Sequence, residues 1–339
     1  MIEAATVAAA WGWRADQIAP LAGGLINKTF VITDGATPSA VLQQLHPVFG
    51  AEVNLDIEAV TAHLASRGLV TPRLVRTRDG KPWVEEAGRV WRALTYVAGD
   101  TVHAVPSPAW AEAGGQLVGR FHRAVSDLAY DYRFTRAGVH DTPAHLAKLR
   151  ERTDGGGDAE ATALGREILD AAAALPAMPV TRTRHVHGDL KISNLIFQRE
   201  PLAGICLVDL DTFARGTLAF ELGDAMRSWC NPRGEDAGSG RPDVGFDLTI
   251  FAAALRGFRA EAGALVEPDE LVSVVVGLET VCIELAARFA VDVFDDRYFG
   301  WDAARFPSRR AHNLVRARGQ LALGLEVRAA RDAALAAVS

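Results

Sequence analysis

The chain has 339 residues, 49% of them hydrophobic and 23% charged. That is ordinary globular composition at a length for about two domains or one two-lobed unit, and it excludes a disordered or fibrous chain. A formal net charge of −6 gives no global field for nucleic acid or an anionic membrane, and no apolar run approaches the ~18 residues of a membrane span.

Residues 4–13 read as a short helix. Gly23 and Gly24 interrupt the chain, residues 27–32 follow as a strand, Asp34 and Gly35 mark a turn, and residues 40–45 form a second strand. Ile57, Val60 and Leu64 make a helical stripe across residues 55–65, and Gly68 closes that helix. Strand candidates follow at 73–77, 82–86 and 89–97, with turns at Asp79-Gly80 and Ala87-Gly88. The first ~100 residues thus predict a small antiparallel sheet with one long helix inserted. Pro106 and Pro108 suit a hinge, and residues 110–128 read as a long amphipathic helix. A Gly-rich loop at 154–158 separates it from an alanine-rich helix. Short strands at 194–197 and 205–210 flank a turn at 200–204, and helices run from about Leu222 to the end. Residues 231–245, rich in Gly, Pro and charge, read as a mobile loop. The expected class is α+β, with an N-terminal lobe over 1–98 and a mainly helical C-terminal lobe over 99–339.

Cys206, Cys230 and Cys282 are odd in number and far apart, with no CxxC spacing. They form neither a disulfide framework nor a zinc site and read as small buried hydrophobes. The N-terminal residues Met1, Ile2, Glu3 and Ala4 lack the basic and long apolar stretches of a signal peptide. Both observations predict a cytoplasmic protein.

The string His187, Gly188, Asp189, Leu190, Lys191, Ile192, Ser193, Asn194 carries the chemistry, followed by Leu207, Val208, Asp209, Leu210, Asp211 and Thr212. Phosphoryl transfer needs a carboxylate to deprotonate the attacking hydroxyl and oxygen ligands to hold Mg²⁺ against the phosphates. An Asp and an Asn five residues apart on one loop can serve both jobs. An Asp on the next strand completes the metal site. Asp209 and Asp211 point to the same side of an extended strand, so Asp211 reads as a further ligand or a support to the first.

This loop resembles the HRDLKxxN catalytic loop of protein kinases, with Gly188 in place of Arg. The Gly form is the signature of the aminoglycoside phosphotransferase and choline kinase superfamily. The resemblance implies a two-lobed, protein-kinase-like fold, with ATP and Mg²⁺ between the lobes. It makes Asp189 the base, Lys191 a phosphoryl-steadying cation, Asn194 and Asp209 metal ligands, and His187 architectural. Asp209-Leu210-Asp211-Thr212, Gly223-Asp224 with Arg227, and Arg288-Phe289 with Tyr298-Phe299 are similar to strings of the N-acetylhexosamine 1-kinase subgroup. So is Gly23-Gly24-Leu25-Ile26-Asn27-Lys28-Thr29-Phe30.

That subgroup resemblance implies transfer to the anomeric hydroxyl of a hexosamine-type sugar, with Arg288 and Tyr298 contacting it. Arg288 could equally pair with Glu284. Other acceptors stay open: an aminoglycoside, an amino alcohol or homoserine. A non-catalytic nucleotide-binding protein is the remaining alternative. Gly23 and Gly24 would cover the phosphates, with Asn27 and Thr29 beside them, and Tyr96 and Val97 would face the adenine. Gln43 stands where most kinases carry a strand lysine; a surface position on an edge strand would equally explain it. Glu58 matches that lysine's usual partner but reads equally as a solvated helix residue. Asp224 reads as the residue that holds the catalytic loop, or as a helix N-terminal charge. The partner is a small-molecule acceptor, with no nucleic acid and no membrane.

Overall fold

The computed structural model describes residues 2–21, 27–232, 234 and 245–338. Helix α1 (Ile2–Ala8) opens the chain. Strands β1 (Ile18–Pro20), β2 (Lys28–Asp34) and β3 (Thr37–Gln44) precede helix α2 (Val53–Ser66). Strands β4 (Leu74–Val75), β5 (Val84–Glu86) and β6 (Arg89–Thr95) complete one antiparallel sheet in the order β1-β2-β3-β6-β4, with β5 pairing β6. Alternation builds its inner face: Ala40, Leu42 and Gln44 of β3 are buried, while Val41 and Gln43 between them are half-buried. Ile32, Leu42, Trp91 and Ala93 pack with Val7, Ala8 and Trp11 into a small core of their own.

α2 belongs elsewhere. Its stripe of Val53, Ile57, Val60 and Leu64 joins the larger core with Leu117, Phe121 and Leu210. At about 1.5–3 kcal/mol per fully buried aliphatic side chain, that stripe ties the helix firmly to the second half of the chain. Asp56 adds polar bonds. It accepts from the Tyr130 hydroxyl at 2.8 Å and from the backbone N–H groups of Arg133 and Phe134 at 2.9 and 3.0 Å.

The rest is mostly helical: α3 (Pro108–Ala124), α4 (Thr142–Gly155), α5 (Ala159–Ala173), α6 (Leu218–Trp229), α7 (Leu248–Ala262), α8 (Pro268–Asp295), α9 (Arg309–Ala329) and α10 (Arg331–Val338). Strands β7 (Arg184–Val186) and β10 (Ala214–Gly216) pair around a hairpin of β8 (Leu195–Arg199) and β9 (Leu202–Leu207). α3 and α7 touch backbone to backbone. A Cβ on Gly115 would lie 2.0 Å from the Ala254 carbonyl oxygen, and one on Gly257 would lie 2.1 Å from that of Glu112. No described helix is long and apolar enough to cross a membrane. The three cysteines are free and buried.

Two expectations need revision. α4 was not predicted, because its only large apolar residues, Leu146 and Leu149, make too short a stripe. The strand expected over 205–210 ends at Leu207, because Asp209 adopts a left-handed conformation with φ +64°. The expected mobile loop at 231–245 lies largely outside the described residues.

Candidate active site

β7 delivers the chain into the catalytic loop. Gly188 has φ +81°, and a Cβ there would sit 2.5 Å from the Thr212 carbonyl oxygen, so only glycine fits. A 3₁₀ turn at Ile192–Asn194 then folds Asn194 back over Asp189. The Asn194 amide nitrogen donates to the Asp189 carbonyl oxygen at 2.8 Å and to its Oδ2 at 3.0 Å. Lys191 Nζ donates to the same Oδ2 at 2.8 Å and lies 3.7 Å from Asp209 Oδ2. One ammonium thus bridges two carboxylates from separate segments. Burial pulls the Lys191 ammonium down, but Asp189 and then Asp209 outweigh it and hold its pKa above the usual value.

The loop is held from behind. Buried His187 places Nε2 3.0 Å from the Val208 carbonyl oxygen, which fits its architectural role. Trp229 Nε1 donates to the Leu190 carbonyl oxygen at 2.7 Å. Glu221 does what was expected of Asp224. Its carboxylate accepts the backbone N–H groups of His187 and Gly188 at 2.8 and 2.9 Å. Asp224, one helical turn further along α6, instead pairs with Arg227 at 2.7 Å. Burial pushes the Asp224 carboxyl up, but the Arg227 guanidinium beside it, and then His140, bring it below the usual range.

Asp209 sits partly exposed beside Lys191. Burial and the neighbouring Asp189 carboxylate hold its pKa above the ordinary value. A cation bound there would relieve that repulsion. Asp211 does not join it. The left-handed turn at Asp209 and the 3₁₀ turn Leu210–Thr212 break the strand alternation that placed both carboxylates on one side. Asp211 is buried and grips Arg92 with both oxygens, at 2.9 Å for Nη2 to Oδ2, while Asn27 Nδ2 donates to Oδ2 at 2.7 Å.

Arg92 stands directly across from Gln43 in the β3–β6 register. Its Nε and Nη2 donate to Gln43 Oε1 at 2.9 and 2.8 Å. Gln43 Nε2 donates on to Thr29 Oγ1 at 3.3 Å, and Asn27 Oδ1 accepts the His46 backbone N–H at 2.9 Å. So Gln43 bonds to Arg92 and Thr29, and Asn27 to Asp211 and His46, where phosphate contacts were expected. Gln43 is no solvated edge residue, since β3 lies between β2 and β6.

Other expected residues divide. Tyr96 and Val97 are half-buried just beyond β6, and the Tyr96 N–H donates to the Ser39 carbonyl oxygen at 3.1 Å. Gly23 and Gly24 lie outside the described residues. Glu58 pairs with exposed Arg76 at 2.6 Å and faces away from Gln43's network. Glu284 binds His140 at 3.1 Å and Thr142 at 2.5 Å, not Arg288. Arg288 lies over the Phe299 ring, and Tyr298, 58% exposed, accepts from Arg136 at 3.0 Å. Among the described residues no three His, Cys, Asp or Glu side chains converge on a metal position. A site of Asp209, the Asn194 amide oxygen and substrate phosphates fits that, because Mg²⁺ commonly takes one or two protein oxygens. A cavity of about 170 Å³ lies at His122, Arg184, His185 and Arg215. The catalytic side chains converge elsewhere, at Asp189, Lys191, Asn194 and Asp209.

The profile of the phosphotransferase enzyme family (APH) matches residues 17–263, well over half of the chain. The chain belongs to that family. It is similar to homoserine kinases from Granulibacter bethesdensis, 29% identical over 243 residues, and from Acidiphilium cryptum, 31% identical over 200 residues. The matched stretches cover 70% and 58% of this chain, and 67% and 57% of those relatives. Among solved structures, an amicoumacin kinase in complex with AMP-PNP and Ca²⁺ superposes with a TM-score of 0.64 at 16% identity, covering 93% of this chain and 90% of that one. A microcompartment-associated aminopropanol kinase gives 0.62 at 17% identity, covering 92% of each. These structures share the two-lobed kinase-like fold. The family assignment carries the enzyme class: a phosphotransferase acting on a small molecule.

Proposed function

We propose that the chain transfers the γ-phosphoryl group of ATP, held with Mg²⁺, to the side-chain hydroxyl of a small hydroxy amino acid of the homoserine type. The convergence of Asp189, Lys191, Asn194 and Asp209 supports the reaction. Asp189 accepts the acceptor's proton, and Lys191 steadies the transferring group and offsets the repulsion between the two carboxylates it bridges. Asp209 and Asn194 would hold the metal, which neutralises charge on the phosphates when bound. Residues 1–98 would serve the nucleotide and 99–339 the chemistry and the acceptor.

The acceptor reading rests on the homoserine kinase relatives. It also suits the Asp224–Arg227 pair, joined at 2.7 Å on α6. A carboxylate and a guanidinium side by side offer complementary charges to an amino acid's ammonium and carboxylate. The curated relatives are homoserine kinases and not hexosamine kinases, which favours the amino-acid acceptor over the sugar. The test is ATP consumption with homoserine, an amino alcohol, an aminoglycoside and N-acetylglucosamine at equal concentration. Preferred turnover of homoserine is expected. Turnover of N-acetylglucosamine alone would restore the sugar reading, and turnover of none with intact nucleotide binding would leave a binding protein.

A further inference from the structure

Asp209 carries the metal reading, yet its backbone is strained. A non-glycine residue at φ +64° persists only where its surroundings over-determine it. The described residues fix this turn at three points. Leu210 is buried in the larger core, and Thr212 Oγ1 donates to the His187 carbonyl oxygen at 2.7 Å. The Thr212 bond lies within the helical lobe, and the core around Leu210 also takes in α2 and Leu94 of β6. The third is Asp211, clamped by Arg92 of β6 and by Asn27 ahead of β2. It is the anchor that reaches the sheet through polar bonds.

We propose that Arg92 is a positioning residue for Asp209: through Asp211 it aligns the metal-binding turn to the nucleotide-side sheet. The inference rests on Asp209 being the metal carboxylate. Arg92 is 1% exposed and lies flat between Gln43 Oε1 and the two Asp211 oxygens. It therefore does not reach a ligand directly. Stability alone is a poor reason for the arrangement, because well-packed apolar groups often replace a buried ion pair without loss. What a two-pronged guanidinium–carboxylate contact adds is direction. Gln43 completes it by presenting one oxygen to two guanidinium nitrogens and passing the chain on to Thr29.

The experiment measures binding, not turnover. A non-hydrolysable ATP analogue is titrated by calorimetry with and without Mg²⁺, and Mn²⁺ binding to the nucleotide-loaded protein is followed by electron paramagnetic resonance. Arg92→Met and Asp211→Asn should weaken metal binding by about 10–100-fold, the usual effect of losing a support to a metal ligand, while metal-free nucleotide affinity stays at the wild-type value. Arg92→Lys, which keeps the charge but not the fork, should fall between. If Arg92→Met does not fold, Arg92→Met/Asp211→Leu removes both charges together and should show the same metal defect. Wild-type metal affinity in Asp211→Asn or in that double variant overturns the inference. So does a metal-free nucleotide affinity that falls as far as the metal affinity, which would make Arg92 a phosphate ligand. If the wild-type protein binds nucleotide with no metal dependence, the assignment of Asp209 itself is wrong, and this inference falls with it.

Discussion

Removing the Glu221 carboxylate should loosen the catalytic loop and cost a large share of the fold's stability. Glu221 is buried and accepts two backbone N–H bonds, from His187 at 2.8 Å and from Gly188 at 2.9 Å. Hydrogen bonds to a charged group contribute about 1.5–3 kcal/mol each, and Glu221→Ala leaves both donors buried without a partner, so the loss should be about 3–6 kcal/mol. That is a substantial part of the ~5–15 kcal/mol that holds a typical domain. Glu221→Gln keeps one acceptor oxygen and should lose about half as much. Urea unfolding followed by tryptophan fluorescence reads this directly, since Trp229 is buried on the same helix. The effect also has a pH signature. Burial pushes the Glu221 carboxyl up, but His122, with Nε2 at 3.4 Å, and His187 bring it below the usual glutamate value. A depressed folded pKa gives stability that is complete above the unfolded value of about 4.3 and is lost as the pH falls through the folded one. The gap between wild type and Glu221→Gln should therefore close in acid. A Glu221→Ala variant within ~0.5 kcal/mol of wild type, the range of an ordinary surface change, would refute the reasoning.

Asp189→Asn should lower kcat by at least ~100-fold, the scale of a lost general base, with nucleotide binding retained; near wild-type turnover in a steady-state assay would remove Asp189 from the mechanism. Gly257→Ala should lose about 3 kcal/mol or more in denaturant unfolding, since its Cβ meets a backbone oxygen at 2.1 Å that no rotamer change can clear. Burial pushes the thiols of Cys206 and Cys282 up to about 12, and that of Cys230 well above its ordinary value. A thiol-exchange reagent at neutral pH should label none of the three in the folded protein and all three after unfolding.

Residues with local signals were legible in the sequence. Asp189, Lys191 and Asn194 sit on one short loop, and their meeting follows from spacing that a 3₁₀ turn closes. The sheet with its inserted helix followed from alternation and a clean apolar stripe. Asp211 misled because period-two reasoning holds only while the backbone stays extended, and nothing local announces a left-handed aspartate. Glu221 was overlooked for Asp224 because both lie on α6 one turn apart, and only the packing decides which one reaches the loop. A buried glutamate among apolar neighbours was the available clue. Arg92 left a similar trace, a lone cation flanked by Trp91 and Ala93 within a strand. Its partner is 119 residues away, a separation that no local pattern spans.

The anchoring of Asp56 has a mechanical consequence. By sequence α2 belongs to the sheet, yet three hydrogen bonds from the Tyr130, Arg133 and Phe134 segment converge on this one carboxylate. Swinging the helix outward would break all three at once, at about 1.5–3 kcal/mol each, besides exposing Ile57, Val60 and Leu64. A partner protein gripping this helix would have to supply that whole sum before the catalytic centre felt anything. By its contacts α2 therefore belongs with the helices as part of the frame around the catalytic loop.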